Sequence, residues 1–153
     1  DLPPGTGDVQ LTLAQGSKLT GSIIISTPQD VALIDARKGI NMFNKVGVKI
    51  LGIVENMSYF LCDGCDKKHH IFRQGGGKTL ADNFDIPLLG EVPIIGAVSE
   101  GGDSGVPIVM SDSQSTASLA YKDLAGKVAA QLSINQAKSG EKVSASFELD
   151  WKS

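Results

Sequence analysis

A strand followed by an amphipathic helix is the first regular pattern along the chain. The β-branched run at residues 23–25 predicts a strand. Thr27 can cap the helix that follows, Pro28 suits its first position, and Asp30 can answer the cap. Apolar residues then recur at three- and four-residue spacing on one helix face: Ala32, Leu33, Ala36, Ile40 and Phe43. Gly47 is expected to end this helix.

The alternation of strand and helix continues towards the C-terminus. Two further apolar strands are predicted at residues 48–57 and 86–95, and a last helix at residues 111–132. The inward face of that helix is predicted to carry Ala117, Tyr121, Leu124 and Val128. This order predicts an α/β fold, a parallel β-sheet with flanking helices. Because three strands make a small doubly wound sheet, the chain is expected to be the C-terminal portion of a larger unit.

Two segments are less regular. Val9, Leu11 and Leu13 alternate with polar residues as in a strand, but the length of the segment also permits a short helix. The composition turns polar after residue 135, so residues 1–135 are assigned to the α/β unit and residues 136–153 to a C-terminal tail. A polar terminal tail is expected to be disordered. The alternative is an edge strand, because apolar residues alternate strictly along the tail: Val143, Ala145, Phe147, Leu149 and Trp151.

Composition narrows the possible partners. The 153 residues are 41% apolar and 20% charged, which suits one globular domain with its own core. The net charge is −3 and the charges are interspersed, so neither nucleic acid nor a membrane is expected as a partner. The sequence has no signal-peptide pattern and no apolar stretch approaching a membrane span, which predicts a soluble cellular protein. Because the chain opens with Asp1 and turn residues, it is expected to continue a preceding segment.

Both cysteines lie in one C-x-x-C motif, Cys62 and Cys65. This spacing favours a metal, cluster or redox site in a reducing compartment over a disulfide framework. Two thiolates complete neither a zinc site nor a four-iron cluster, so one of His69 and His70, or a second copy of the chain, must supply the remaining ligands. The spacing alone does not choose between zinc and a cluster. A thioredoxin-like dithiol is less favoured, since the pair does not open a helix directly after a strand.

The run GGGKT at residues 75–79 is similar to the end of a phosphate-binding loop. The motif G-x-x-x-x-G-K-[ST] requires glycine at position 72, where this chain has Phe72, and it normally follows a hydrophobic strand. A flexible loop that opens the helix at residues 78–84 is therefore expected. The N-terminal run DLPPGTGD, in which Asp1 and Asp8 flank prolines and glycines, is typical of a turn above the carboxyl end of a strand.

A series of sequence blocks resembles those of the Mrp-type P-loop ATPases. In order they are DLPPGTGDVQLTL, STPQDVALIDARKGINMF, LGIVENMSYFLCDGC, HHIF, GGG, and IPLLGEVPI followed by EGGDSGVPIV. This family is also called ApbC and is related to MinD, ParA and the nitrogenase iron protein. The resemblance covers about residues 1–133. It implies a P-loop NTPase fold, a Rossmann-like three-layer sandwich, and an ATP-dependent iron–sulfur cluster carrier or scaffold.

The resemblance also implies roles for particular residues. It implies a homodimer that binds a labile [4Fe–4S] cluster through Cys62 and Cys65 of each subunit and passes it to apo-proteins. Asp1 matches an acidic residue that helps to hold magnesium, Asn56 matches the residue that recognises adenine, and Pro93 lies where the family lines the base pocket. The loop that senses the γ-phosphate of ATP matches residues 3–8, with Gly5, Thr6, Gly7 and Asp8.

One departure from the family is large. Its P-loop lies upstream of DLPPG, and these 153 residues do not contain it. Without those backbone amides and lysine charges, the chain alone is expected to bind ATP weakly and not to hydrolyse it, although the complete protein is expected to do so. Two other functions stay open: a zinc-binding module that joins subunits, and a C-x-x-C dithiol oxidoreductase. The expected compartment is the cytoplasm or, alternatively, the mitochondrial matrix.

Overall fold

The computed structural model describes residues 7–17, 19–62, 64–65 and 67–139. Their helices and strands follow one another as α1 (Asp8–Gly16), β1 (Ser22–Ser26), α2 (Asp30–Lys45), β2 (Ile50–Glu55), β3 (Phe60–Leu61), β4 (Lys68–His69), α3 (Gly76–Phe84), β5 (Leu88–Glu91), α4 (Gly96–Ser104), α5 (Ile108–Ser111) and α6 (Thr116–Ser139). Within these ranges, no helix has both the length and the apolar character needed to span a membrane.

A three-stranded parallel sheet in the order β1-β2-β5 lies at the centre of the fold. At the carboxyl end of β2, Glu55 pairs with Ser26 of β1 on one side and with Glu91 of β5 on the other. All three strands therefore end at the same edge of the sheet. The three predicted strands are confirmed, whereas the separate two-stranded hairpin of β3 and β4 was not predicted.

Two apolar cores lie on opposite faces of the sheet. Ile53 of β2 belongs to the larger core, whose other buried members come from β1 and from helices α1, α2 and α3 and the turns beside them: Ala14, Ile24, Ile40, Met42, Phe43, Val48, Leu80 and Ala81. The next residue, Val54, belongs to the second core, where α6 packs on β2 and β5: Leu89, Val92, Tyr121, Leu124 and Val128. Neighbouring residues of one strand point to opposite faces. This three-layer arrangement confirms the predicted fold class and the inward face of the last helix.

The described residues cover β1 unevenly. Ile24 is 6% exposed and packs in the larger core. Ile23 and Ile25 point to the other face and are 37% and 65% exposed. Strands of parallel sheets are normally buried on both faces. Within the described part of the chain, β1 is therefore covered by other elements on one face and exposed on the other.

The predicted start of α2 was wrong. The helix begins at Asp30, not at Pro28, and Gln29 occupies the N-cap position in an extended conformation with φ −71° and ψ 142°. Thr27 consequently lies ahead of the cap. Pro28 is buried in the turn, and the helix begins two residues later than the sequence pattern suggested. The Asp30 carboxylate pairs with the guanidinium of Arg73, so it does not serve a cap at Thr27.

The ambiguous segment near the N-terminus is the helix α1. Gln10 and Ala14 are buried one turn apart, while Val9 and Leu13 are 59% and 43% exposed. Burial with a period of four residues is helical, so the alternation of apolar and polar residues in this segment was not a strand pattern.

The ends of helices α2 and α6 can be compared with the predicted helix stop at Gly47 and the predicted boundary at residue 135. Helix α2 ends at Lys45 and Gly47 follows with φ 71°, which confirms the predicted stop. Helix α6 continues across the predicted boundary at residue 135 and ends at Ser139. Residues 140–153, which include the alternating segment of the tail, lie outside the described residues, so the tail stays a prediction.

Candidate functional site

The predicted adenine residues follow two neighbouring strands at the carboxyl edge of the sheet. The N–H of Asn56 donates to the carbonyl of Ser26 at 2.7 Å, just beyond β2. The N–H of Val92 donates to the carbonyl of Glu55 at 2.8 Å, and the buried Pro93 comes next. Both predicted residues therefore lie where open α/β sheets bind ligands. Their roles in binding adenine stay predictions.

A buried carboxylate lies beside this edge. Glu55, the last residue of β2, is 0% exposed. Its Oε1 accepts the hydroxyl of Ser58 at 2.6 Å, and its Oε2 accepts the backbone N–H of Gly77. Two donors of this kind are what a buried carboxylate requires. Glu55 was not among the predicted site residues, although an acidic residue at the end of an apolar run is a signal in the sequence.

Backbone geometry and close packing explain the glycine run before α3. Gly75 is the N-cap of the helix with φ 75°, a left-handed conformation that glycine adopts without strain. Gly77 lies so close to Glu55 that an added Cβ would stand 2.9 Å from Cβ of Glu55. Helix α3 begins at Gly76, two positions before the predicted start at residue 78. The glycines of GGGKT thus have structural reasons that do not involve phosphate.

The predicted γ-phosphate-sensing loop is described only in its last two residues. Gly7 is the N-cap of α1 with φ −80°, and Asp8 is the first residue of that helix. A carboxylate in the first turn of a helix interacts favourably with the helix dipole. Asp1, Gly5 and Thr6 lie outside the described residues, so their roles stay predictions.

Strands β3 and β4 form a hairpin that carries both cysteines in its turn. The antiparallel register pairs Phe60 with His69 and Leu61 with Lys68. Beyond the strands, the N–H of Cys62 donates to the carbonyl of Lys67 at 3.0 Å. The N–H of Cys65 donates to the carbonyl of Cys62 at 3.3 Å and tightens the turn. The two cysteines thus occupy a hairpin turn and not the start of a helix, which argues against a thioredoxin-like dithiol.

The pairing also determines which side chains share a face of the hairpin. Residues opposite each other in an antiparallel pair project to the same side, and the side alternates along each strand. Phe60 and His69 therefore share one face, and Cys62, two residues after Phe60, lies on it as well. His69, one of the two histidines that the sequence offered as ligands, is thus close to the cysteines in space.

Three potential metal ligands meet at the hairpin turn. One ligand atom of each of Cys62, Cys65 and His69 lies within 4.8 Å of the other two. Cys62 is half-buried, while Cys65 and His69 are exposed, and neither cysteine forms a disulfide in the described chain. The ring Nδ1 of His70 lies 3.1 Å from the carbonyl of Ser58. Of the two adjacent histidines, His69 belongs to this group and His70 does not.

The base of the hairpin is joined to the loop after β5. The carbonyl of Tyr59 accepts the N–H of Ile94 at 2.7 Å, and Phe60 forms a parallel bridge with Ile94. Lys68 places its ammonium 4.2 Å from the centre of the Tyr59 ring, a cation–π geometry. Burial, and secondly the nearby Glu91 carboxylate, raise the pKa of the Tyr59 hydroxyl. The cysteine hairpin and the loop of Pro93 therefore share a backbone connection.

Comparison with known families and sequences gives a consistent result. A profile of the ParA family, described as NUBPL iron-transfer P-loop NTPase, matches residues 1–129. The iron-sulfur cluster carrier protein of Escherichia coli (strain K12) is 51% identical over 132 residues, which are 86% of this chain and 36% of that protein. An Arabidopsis thaliana protein named iron-sulfur protein required for NADH dehydrogenase, mitochondrial, is 51% identical over 128 residues, 84% of this chain and 41% of that one. The chain thus spans only 36% and 41% of the length of these two relatives.

Solved structures show the same architecture. The nucleotide-binding protein of Archaeoglobus fulgidus in complex with ADP, in which cobalt was found, matches with a TM-score of 0.61 at 39% identity over 68% of this chain and 43% of that one. The cell division ATPase MinD of Pyrococcus furiosus matches with a TM-score of 0.54 at 25% identity over 72% of this chain and 43% of that one. These likenesses confirm the predicted P-loop NTPase type of fold, of which this chain covers part.

Proposed function

Because the chain belongs to the NUBPL-type iron-transfer P-loop NTPases of the ParA family, we propose that it forms part of an iron–sulfur cluster carrier. The observation that carries this proposal is the hairpin turn, which presents the thiols of Cys62 and Cys65 side by side near the surface. Cysteine thiolates are the usual ligands of iron–sulfur clusters. A cluster held at an exposed turn is accessible to a recipient, which suits cargo better than a permanent cofactor.

The bound cargo in this proposal is a [4Fe–4S] cluster shared by two chains. Such a cluster takes four cysteine ligands, and one chain contains two cysteines. A twofold homodimer supplies the other two from an identical hairpin. The exposure of Cys65 supports this arrangement, since the turns of two chains can approach each other without unfolding the surrounding structure.

The nucleotide site in this proposal is assembled at the carboxyl edge of the sheet. Asn56 and Pro93 contact adenine there, and the Asn56 side-chain oxygen is held by the N–H of Met57 at 3.0 Å. As the family resemblance implies, the γ-phosphate is sensed by Gly5, Thr6, Gly7 and Asp8, and Asp1 helps to hold magnesium. No P-loop motif occurs in the 153 residues. ATP hydrolysis, and the dependence of cluster transfer on it, require the P-loop of the family in this proposal.

The proposed partners are apo-proteins that require an iron–sulfur cluster, together with a second copy of the chain. Neither nucleic acid nor a membrane is a proposed partner, since the net charge is −3 and the charges are mixed. One relative carries a mitochondrial name and another is bacterial. The proposed compartment is accordingly the cytoplasm or the mitochondrial matrix.

Anaerobic reconstitution tests the proposal. The reduced 153-residue chain is incubated with ferrous iron and sulfide, and iron, acid-labile sulfide, visible absorption and molecular mass are measured. We expect about four irons and four sulfides per two chains, on a dimer. Cys62→Ser and Cys65→Ser are each expected to lose the cluster, while His70→Ala retains it because its ring is directed to Ser58.

Transfer is tested by mixing the loaded chain with a purified apo-protein whose activity requires a [4Fe–4S] cluster. Recovery of that activity, with a strong iron chelator present to trap released iron, is the expected result. An unchanged cluster in Cys62→Ser, or zinc without iron and sulfide as the stably bound metal of the dimer, would overturn the proposal.

A further inference from the structure

The histidine on the hairpin gives the cysteine pair a use that needs only one chain. We propose that Cys62, Cys65 and His69 of a single chain form a mononuclear site for a soft divalent cation of the zinc type, distinct from the cluster shared by two chains. The cation site does not rest on the proposed cluster function, although it uses the same two thiolates.

The spacing of the three ligand atoms is close to what such a cation requires. Zinc binds thiolate sulfur at about 2.3 Å and imidazole nitrogen at about 2.0–2.1 Å, so tetrahedral ligands stand about 3.5–3.8 Å apart. The three atoms already lie within 4.8 Å of one another. A shift of about 1 Å, within the reach of side-chain rotation at exposed positions, brings them into place. The hairpin thus holds the ligand set close to its bound geometry.

The hairpin register explains why His69 and not His70 completes the set. His69 pairs with Phe60 and shares the face on which Cys62 lies. His70 points away, and its Nδ1 contacts the carbonyl of Ser58 at 3.1 Å. The two adjacent histidines therefore have separate tasks, because neighbouring residues of a strand project to opposite sides. One is placed to bind the cation and the other helps to join the hairpin to the turn after β2.

The donor set determines the class of cation and the state of the protein. Two thiolates and one imidazole suit zinc and cobalt and do not suit magnesium or calcium, which prefer oxygen ligands. Three protein ligands leave a fourth position, which water or an external thiol can occupy. One chain is sufficient, so the cation-loaded form is monomeric. Since the thiolates are the same, a chain that holds the cation cannot also hold the cluster.

Cobalt titration tests the site. The reduced, metal-free 153-residue chain is titrated anaerobically with Co²⁺, whose visible absorption intensifies in a tetrahedral thiolate site, and its mass is followed by sedimentation. We expect one Co²⁺ per chain on a monomer. His69→Ala is expected to weaken Co²⁺ binding by at least about 10- to 100-fold, the loss that removal of an outer-shell partner alone can cause. His70→Ala is the matched control and is expected to bind Co²⁺ as the parent chain does.

Two results would overturn the cation site. One is equal Co²⁺ affinity in His69→Ala and His70→Ala, and the other is one Co²⁺ per two chains on a dimer. If His69→Ala alters the circular dichroism and therefore the fold, the site is tested on the parent chain. Adding Zn²⁺ to a ¹⁵N-labelled sample is expected to shift the NMR signals of the His69 ring nitrogens and to leave those of His70 unchanged. The fate of the cluster in Cys62→Ser is a separate measurement, so failure of the cluster proposal is distinguishable from failure of this one.

Discussion

The backbone N–H of Gly77 donates to the buried carboxylate of Glu55, and this bond anchors the first turn of α3 to the end of β2. The other oxygen of the same carboxylate accepts the hydroxyl of Ser58, whose carbonyl in turn contacts His70. One buried charge therefore connects the predicted adenine edge, the glycine loop and the cysteine hairpin.

Substitution of Gly77 is expected to destabilise the fold. In Gly77→Ala the new Cβ would stand 2.9 Å from Cβ and 3.0 Å from Oε2 of Glu55. Either the helix or the carboxylate has to move, and overpacking of this kind costs about 1–3 kcal/mol of unfolding free energy. Urea denaturation of the chain measures the loss.

Gly126→Ala is the control for Gly77→Ala. Gly126 is exposed on α6, and an added Cβ would meet no described atom within 4 Å. Alanine is a better helix former than glycine, so this variant is expected to gain about 0.5–1 kcal/mol. Equal unfolding free energies for the two variants would contradict the close packing of Gly77 on Glu55.

Removal of the Glu55 carboxylate is expected to lower the free energy of unfolding more than its neutralisation does. Glu55→Leu leaves the Ser58 hydroxyl and the Gly77 N–H buried without this acceptor, a loss of about 1–3 kcal/mol. Glu55→Gln retains one acceptor oxygen and is expected to lose less. Urea denaturation compares the two. Ser58→Ala should lower the free energy of unfolding less in the Glu55→Leu background than in the parent chain. If the losses from the two substitutions simply add, the Glu55 and Ser58 side chains are not coupled.

The Tyr59 hydroxyl is expected to titrate above its usual pKa near 10, because burial and then Glu91 disfavour the phenolate. Above about pH 10 the unfolded chain loses this proton before the folded chain does, so the free energy of unfolding falls as the pH rises further. Below that pH the group contributes no pH dependence. The ultraviolet absorption of tyrosinate measures the titration.

Two variants separate the tyrosines, of which the chain has two. Tyr59→Phe should remove the Tyr59 titration from the absorption curve, whereas Tyr121→Phe should retain it. Glu91→Gln is expected to lower the Tyr59 pKa only in part, since burial is the larger cause. A Tyr59 titration at or below pH 10, taken as the difference between the parent chain and Tyr59→Phe, would refute the raised pKa.

The chain alone is expected to bind ATP weakly, with a Kd of about 1 mM or weaker, corresponding to a binding free energy no more favourable than about −4 kcal/mol. Its 153 residues contain no P-loop to hold the triphosphate. Calorimetric titration with Mg-ATP and a phosphate-release assay measure binding and hydrolysis. Asn56→Ala should weaken adenosine binding further, while Asn44→Ala, on the exposed side of α2, should not. Tight ATP binding with turnover would contradict this expectation.

Much of the fold could be predicted because its signals are local. The runs at residues 23–25, 48–57 and 86–95 are apolar over the length of a strand. Helical periodicity follows the first run at residues 32–43 and the last run at residues 117–128. The inward face of α6 follows from three- and four-residue spacing, and the structure confirms it at Leu124 and Val128. The family could be recognised for a different reason. A single sequence block is not specific to the family, but several blocks in the same order are.

The features that sequence analysis missed depend on contacts across the chain. Strands β3 and β4 have two residues each, too few for a periodic pattern, and exist because they pair across the cysteine turn. Glu55 reaches Gly77, which is 22 residues away, so no local signal reveals the bond. Helix α2 begins at Asp30 because Gln29 is extended in the folded chain, which no local signal reveals. The sequence left open which of His69 and His70 lies near the cysteines, and the same pairing places His69 there.

Zinc is expected to inhibit cluster assembly by competing for the thiolates. If a monomer holds Zn²⁺ through Cys62, Cys65 and His69, one equivalent added before iron and sulfide should lower the cluster yield. The inhibition should need more zinc in His69→Ala, because that variant has lost one of three ligands and binds the cation more weakly. Each protein is compared with its own yield without zinc, so a change in folding or in basal assembly does not enter the ratio. Identical zinc dependence in His69→Ala and in the His70→Ala control would show that the imidazole does not bind, since the two thiolates are common to both variants and only the third ligand differs.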